Sequence, residues 1–289
     1  MCFYKNRILA PRKISKMDKI PSVDLRDFLS DNPERKQKFV NEIGKAYEEI
    51  GFVALKGHFL DDKLVDDLYG EVKNFFELPT ETKLKYEIPG IGGQRGYVGF
   101  GKETAKGFKK GDLKEFWHFG QYVSDDSKYK SEYPDNVIVE ELPIFNEVGK
   151  ETYQMLEKTG KYVLRALALY LDLDEFYFDD KIAEGNSILR PIHYPPITEE
   201  PDDAVRAAAH GDINLITLLM GSQGKGLQVQ NHKGEWIDAI AEPDELMINV
   251  GDMLSRHTNN KLKSTIHRVV NPPRELWGTS RYSIPFFMH

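Results

Sequence analysis

The stretch AAAHGDINLITLL, residues 207–219, decides the fold. It divides into an alanine-rich segment carrying His210 and Asp212 and an apolar, β-rich segment, with no span between them long enough for a helix. Extended to 205–212 and 213–220, these read as two strands. Working outward, 187–194 reads as a strand upstream, and 227–230, 236–238, 246–249, 264–271 and 281–288 follow downstream, separated by Gly, Pro and Asn turns. Eight short strands in this arrangement predict a double-sheet jelly roll.

Upstream the pattern is helical. Phe39, Val40, Ile43, Tyr47 and Ile50 recur at three- and four-residue spacing, as do Leu64, Leu68, Val72, Phe75 and Phe76. Between these two amphipathic helices, GFVALKG (51–57) reads as a strand, and a further helix is expected over about 143–171. The expected fold is therefore mainly β with flanking helices, in a single domain over 17–289: a helix-rich region at 17–180 and a jelly-roll core at 181–289. Residues 1–16, basic and without an acid, read as a disordered leader. Residues 89–111 hold eight glycines among basic and aromatic residues, as in a long functional loop.

The composition narrows the function. The chain has 289 residues, with 39 Lys and Arg against 46 Asp and Glu, a net charge of −7. No basic stripe or interleaved basic and aromatic surface suggests nucleic acid as a partner. The one cysteine, Cys2, rules out an intrachain disulfide and fits a reducing, cytoplasmic setting. The longest apolar run, VLRALALYL (163–171), is interrupted by Arg165 and is too short to span a membrane. A monomer acting on a small molecule is the expectation. GIGGQRG (90–96) lacks the spacing of a dinucleotide loop, and GSQGKG (221–226) has Gly where a phosphate loop needs Ser or Thr after its Lys.

Three features carry chemistry. In an extended strand, His210 and Asp212 point to one face and can bind one metal. On its own His-x-Asp is a weak signal. His267 in STIHRVVN, 55 residues beyond Asp212, completes a set of two His and one carboxylate that leaves coordination positions open, the ligand set of non-haem Fe(II) oxygenases. In RYSIPFF (281–287), Arg281 and Ser283 share a strand face and together can hold a carboxylate.

The order His210-x-Asp212, His267, Arg281-x-Ser283 resembles the Fe(II)- and 2-oxoglutarate-dependent dioxygenases of the isopenicillin N synthase-like family. The resemblance spans nearly the whole chain: IPSVDL (20–25), GFVALKGH (51–58), LRPIHYPP (189–196), LITLL (215–219), MINVGDML (247–254), TNN (258–260), IHRV (266–269) and RYSIPFF. It implies a double-stranded β-helix core, with Fe(II) on His210, Asp212 and His267. It further implies 2-oxoglutarate chelated to the iron, its far carboxylate held by Arg281 and Ser283 and touched by Tyr194. With O2, such an enzyme hydroxylates, desaturates or cyclises a small organic substrate and releases succinate and CO2. Two departures stand out. Many members carry Asn two residues before the tyrosine, where this chain has Ile192, and relatives usually continue past the last core strand, where this chain reaches His289.

By the same resemblance, Phe116 and His118 in GDLKEFWHFG (111–120) and Phe287 on the final strand border the substrate pocket. The glycine-rich loop looks like a lid, with Arg95 and Tyr97 as further substrate contacts. Asn249, Asn259 and Asn260 read as strand-end and turn residues, and His193 as a structural histidine. Two rival readings remain: a 2-oxoglutarate-independent oxidase of the isopenicillin N synthase type, and a catalytically silent metal-binding jelly roll.

Overall fold

A computed structural model describes residues 19–102, 114–197, 206–221, 226–272 and 274–289. The expected leader at 1–16 and part of the glycine-rich stretch lie outside them. The helix-rich half runs β1 (Ser22–Asp24), α1 (Leu25–Phe28), α2 (Pro33–Glu49), β2 (Phe52–Lys56), α3 (Asp62–Glu77), α4 (Thr80–Leu84), β3 (Gly96–Val98), β4 (Glu115–Gly120), α5 (Pro143–Tyr170) and α6 (Asp179–Ile182). The second half continues through β5 (Ile188–Leu189), β6 (Ile192–Tyr194), β7 (Ala207–His210), β8 (Ile216–Leu219), β9 (Leu227–Gln230), β10 (Trp236–Asp238) and β11 (Leu246–Val250). It ends with α7 (Asp252–His257), β12 (His267–Val269), β13 (Arg281–Ser283) and β14 (Pro285–Met288).

Local chemistry explains the helices. Asn32 caps α2 by accepting from the N–H groups of Glu34 and Arg35, with Pro33 preset for the first turn. Asp61 caps α3 through the N–H of Leu64. Each helix buries the apolar stripe read from its sequence. The 28-residue α5 lies on the sheet, and Gly149 lets it come close: a Cβ there would stand 2.2 Å from the Phe119 ring.

The strands form two sheets. The larger runs β1-β2-β11-β8-β14-β5-β4-β6-β13, with β3 added on β4; the smaller runs β10-β9-β12-β7. Pairing is antiparallel except for β1 on β2. Residues facing each other across a ladder share a face, so the larger sheet sorts cleanly. Phe119, Leu189, Phe286, Leu218 and Ile248 form one row and belong to the core beneath the helices. The next row, Ile188, Phe287, Thr217, Asn249 and Phe52, faces the smaller sheet. Phe52 packs there with Leu227 and Val229 of β9 and meets the His267 ring edge-on at 5.5 Å. Two facing sheets with helices behind the larger one are the expected jelly-roll arrangement.

Two expected strands are each split. The 187–194 segment becomes β5 and β6, broken at Pro191, which has no N–H for a ladder. The 281–288 segment becomes β13 and β14, so β13 pairs with β6 while β14 pairs with β5 and β8.

Candidate metal centre and co-substrate pocket

The smaller sheet brings the two histidines together: His210 and His267 are directly paired across β7 and β12, with ring centroids 4.4 Å apart. Asp212 lies two residues past β7 rather than within a strand, and still turns to meet them. Its Oδ1 is 3.9 Å from Nε2 of His210 and 3.8 Å from Nε2 of His267, less than twice a metal–ligand bond of about 2.1 Å. Chosen ligand atoms of the three residues all lie within 4.8 Å of one another.

Hydrogen bonds fix which atoms are presented. Nδ1 of His210 lies 2.6 Å from the Ala208 carbonyl and Nδ1 of His267 lies 3.2 Å from the Thr265 carbonyl. A carbonyl can only accept, so each Nδ1 carries the proton and each Nε2 keeps its lone pair for a metal. Burial also pulls the His267 pKa down, which favours the neutral ligand form. The Oδ2 of Asp212 accepts from Thr217 Oγ1 at 2.6 Å and Asn249 Nδ2 at 2.8 Å, leaving Oδ1 for the shared centre. Asp212 and His267 are buried, whereas His210 is exposed and leaves the group open on one side.

On the larger sheet, Arg281 faces Tyr194 across β13 and β6, and Ser283 faces Ile192. Arg281 is 3% exposed, yet its Nε and Nη1 have no hydrogen-bond partner among the described residues. Buried guanidinium N–H groups left unpaired are costly, and an anionic acceptor such as a carboxylate relieves that cost. Tyr194 and Ser283 are buried alongside. A second guanidinium approaches the same tyrosine: Cζ of Arg281 is 5.5 Å from the Tyr194 ring centroid and Cζ of Arg206 is 5.9 Å from it.

The chain matches the sequence pattern of the 2OG-Fe(II) oxygenase superfamily over residues 185–289, and over 20–141 that of the N-terminal region described as non-haem dioxygenase in morphine synthesis. It is 32% identical to the 2-oxoglutarate-dependent dioxygenase frbA of Dothideomycetidae sp., over 93% of this chain and 85% of that one. It belongs to the 2-oxoglutarate- and Fe(II)-dependent oxygenases. Among solved structures, a 2OG-Fe(II) oxygenase family protein from Caulobacter crescentus is similar with a TM-score of 0.85 and 43% identity, covering 93% of this chain and 86% of that chain. A full-length Neurospora crassa protein solved in complex with alpha-KG is similar at 0.81 and 30%, covering 93% and 84%. Iron and 2-oxoglutarate are thus the cofactor and co-substrate of this oxygenase, and the His-Asp-His group and the unpaired Arg281 fit them.

The residues expected to border the substrate divide. Phe116, Val98, Ile192 and Tyr194 form one apolar cluster, so Ile192 fills with hydrocarbon the place where many family members carry Asn. Arg190 connects Phe116 to Phe287: its Cζ lies 4.5 Å from the first ring and 5.3 Å from the second. Its Nε donates to Nε2 of His118 at 2.5 Å, while Nδ1 of His118 lies 2.6 Å from the Gly93 carbonyl. Burial, and then the Arg190 charge, push the His118 pKa well down, so the imidazole is a neutral acceptor.

Tyr97 and Arg95 do not sit on an exposed lid. Tyr97 belongs to strand β3 and packs with Phe75 and Trp117 on the helix side, its hydroxyl donating to Glu115 at 2.5 Å. Arg95 is fully buried, donates to Gln121 and to the Gln94 carbonyl, and occupies the space that a side chain at Gly120 would need. Glu115 also accepts from Lys83 at 2.7 Å and bonds His193 at 2.8 Å, the structural role expected of that histidine. Asn249 lies one residue before the end of β11, close to the expected strand end, and it also holds Asp212. Asn259 and Asn260 do occupy a turn, at positive φ.

Among the described residues no helix is long and apolar enough to cross a membrane.

Proposed function

We propose that His210, Asp212 and His267 hold the iron, that Arg281, Ser283 and Tyr194 bind the far carboxylate of 2-oxoglutarate, and that Phe116, His118, Phe287 and Arg190 line the substrate space. The observation that carries this reading is the pair of buried, unpartnered N–H groups on Arg281, in a chain that also gathers a His-Asp-His group. When bound, the iron supplies oxygen activation coupled to decarboxylation of 2-oxoglutarate, and so the power to oxidise an unactivated C–H bond.

The protein's part is placement. Two carbonyls orient the imidazoles, Thr217 and Asn249 hold the carboxylate so that a single oxygen faces the metal, and Arg281 sets the length of co-substrate that can reach it. Phe116 and Phe287 give the substrate space apolar walls. In this reading the working unit is a monomer in which residues 17–180 buttress the core at 181–289.

The test is anaerobic titration of the Fe(II) protein with 2-oxoglutarate, following the weak visible charge-transfer band that bidentate chelation produces. A band that Arg281→Gln shifts to much higher 2-oxoglutarate concentration is the expected result. Iron binding without a band overturns the co-substrate assignment and favours a 2-oxoglutarate-independent oxidase.

A further inference from the structure

Arg206 immediately precedes β7, in a stretch whose pairing with β12 is irregular: Ala207 and His210, three residues apart, face Val269 and His267, which are only two apart. An extra residue of this kind twists a strand and re-aims its side chains. Arg206 is directed at Tyr194, and its Nε and Nη2 are buried without a hydrogen-bond partner among the described residues. Burial, and then the Arg281 charge, hold its guanidinium below its ordinary pKa, a tension that an anion would relieve.

The co-substrate does not account for this second cation. Among the described residues, a dicarboxylate offset by a divalent iron, and Asp212 offset by Arg281, leave the charge of Arg206 uncompensated. 2-Oxoglutarate also has no carboxylate to spare, because one end chelates the metal and the other meets Arg281 and Ser283. We propose that Arg206 is a specificity-determining residue that binds a carboxylate of the substrate, and hence that this oxygenase acts on a carboxylic acid. This rests on the assignment of Arg281 to the co-substrate.

The experiment uses the full chain loaded with Zn(II). Isothermal titration first gives 2-oxoglutarate affinity for the wild type, Arg206→Gln and Arg281→Gln. Ligand-observed NMR on the Zn(II)–2-oxoglutarate complex then compares benzoate with benzamide, phenylacetate with phenylacetamide, and hexanoate with hexanamide. The expected result is a carboxylate preference of about tenfold or more in the wild type. Arg206→Gln should abolish it and Arg206→Lys should keep part of it, with 2-oxoglutarate affinity in Arg206→Gln unchanged within about twofold. Thermal melts confirm that each variant is folded.

Three outcomes overturn the proposal: no carboxylate preference in the wild type, a preference that survives Arg206→Gln, or a loss of 2-oxoglutarate binding in Arg206→Gln as deep as in Arg281→Gln. The last would make Arg206 part of the co-substrate clamp. Failure of the underlying assignment looks different, because Arg281→Gln would then leave 2-oxoglutarate affinity untouched.

Discussion

Asn249, one residue before the end of strand β11 of the larger sheet, donates to Oδ2 of Asp212 at 2.8 Å across 37 residues of sequence. With Thr217 on the same oxygen, the carboxylate is locked before any metal arrives. The rigid sheet therefore sets the geometry of a group that itself lies outside any strand.

Releasing that oxygen should weaken the metal site without removing a ligand. Asn249→Ala or Thr217→Val is expected to lower Fe(II) affinity about 10–100-fold, as outer-shell changes generally do. Because both residues act on one oxygen, the double variant should fall short of the product of the two losses. Competition titration with a metallochromic chelator measures each constant.

Metal binding should stabilise the fold by an amount that grows with the logarithm of the free metal concentration. At a free Mn(II) concentration 100 times its Kd, linkage gives about 2.7 kcal/mol. For a chain of this size that amounts to a rise in Tm of about 4–5 °C. Asp212→Ala should eliminate the rise, and a shift that persists would place the binding elsewhere.

The buried Glu115 predicts an acid limit. Burial would raise its pKa, but hydrogen bonds from His193, Lys83 and Tyr97 more than compensate, so it ends below its ordinary value. A lowered native pKa means the unfolded chain binds the proton more readily. The contribution to stability is thus complete above the ordinary value of 4.5 and is lost as pH falls through the native one. Glu115→Gln strands the Lys83 ammonium in the core and should cost about 3–5 kcal/mol at neutral pH. It should also flatten the acid limb of a plot of stability against pH, measured by urea unfolding.

Gly149→Ala should destabilise by at least about 1–3 kcal/mol, because helix α5 cannot lift away from Phe119 locally. Shortening the obstacle in Gly149→Ala/Phe119→Leu should recover part of that loss. Equilibrium denaturation of the single and double variants reports both effects, and additive losses would refute the contact.

Much of this was legible in the chain. Helices α2, α3 and α5 follow their apolar periodicity, and the ligand triad was visible as His-x-Asp plus a later strand histidine. Arg281 and Ser283 could be paired because strand alternation is local. Thr217, Asn249 and Arg206 act through neighbours that only sheet pairing supplies, and sequence spacing does not encode which strands pair. A signal was nonetheless present: an Asn inside LMINV, and a Thr inside LITLL, are polar groups in buried apolar strands and require a partner. Arg95 and Tyr97 misled for the opposite reason. Their glycine-rich setting suggested exposure, while a short strand, β3, and the open space at Gly120 buried them.

Strand β14 lies between β8 and β5 and joins the block of sheet built on β2 and β11 to the block built on β4 and β6. On the ribosome, residues 285–288 follow strand β8 by about 3–13 s, at the usual rate of about 5–20 residues per second. Until then β8 and β5 each present an open edge to whatever other nascent chains are near. Biosynthesis, more than the finished enzyme, is therefore where this protein is most exposed to aggregation, and where a chaperone that shields strand edges would have its effect.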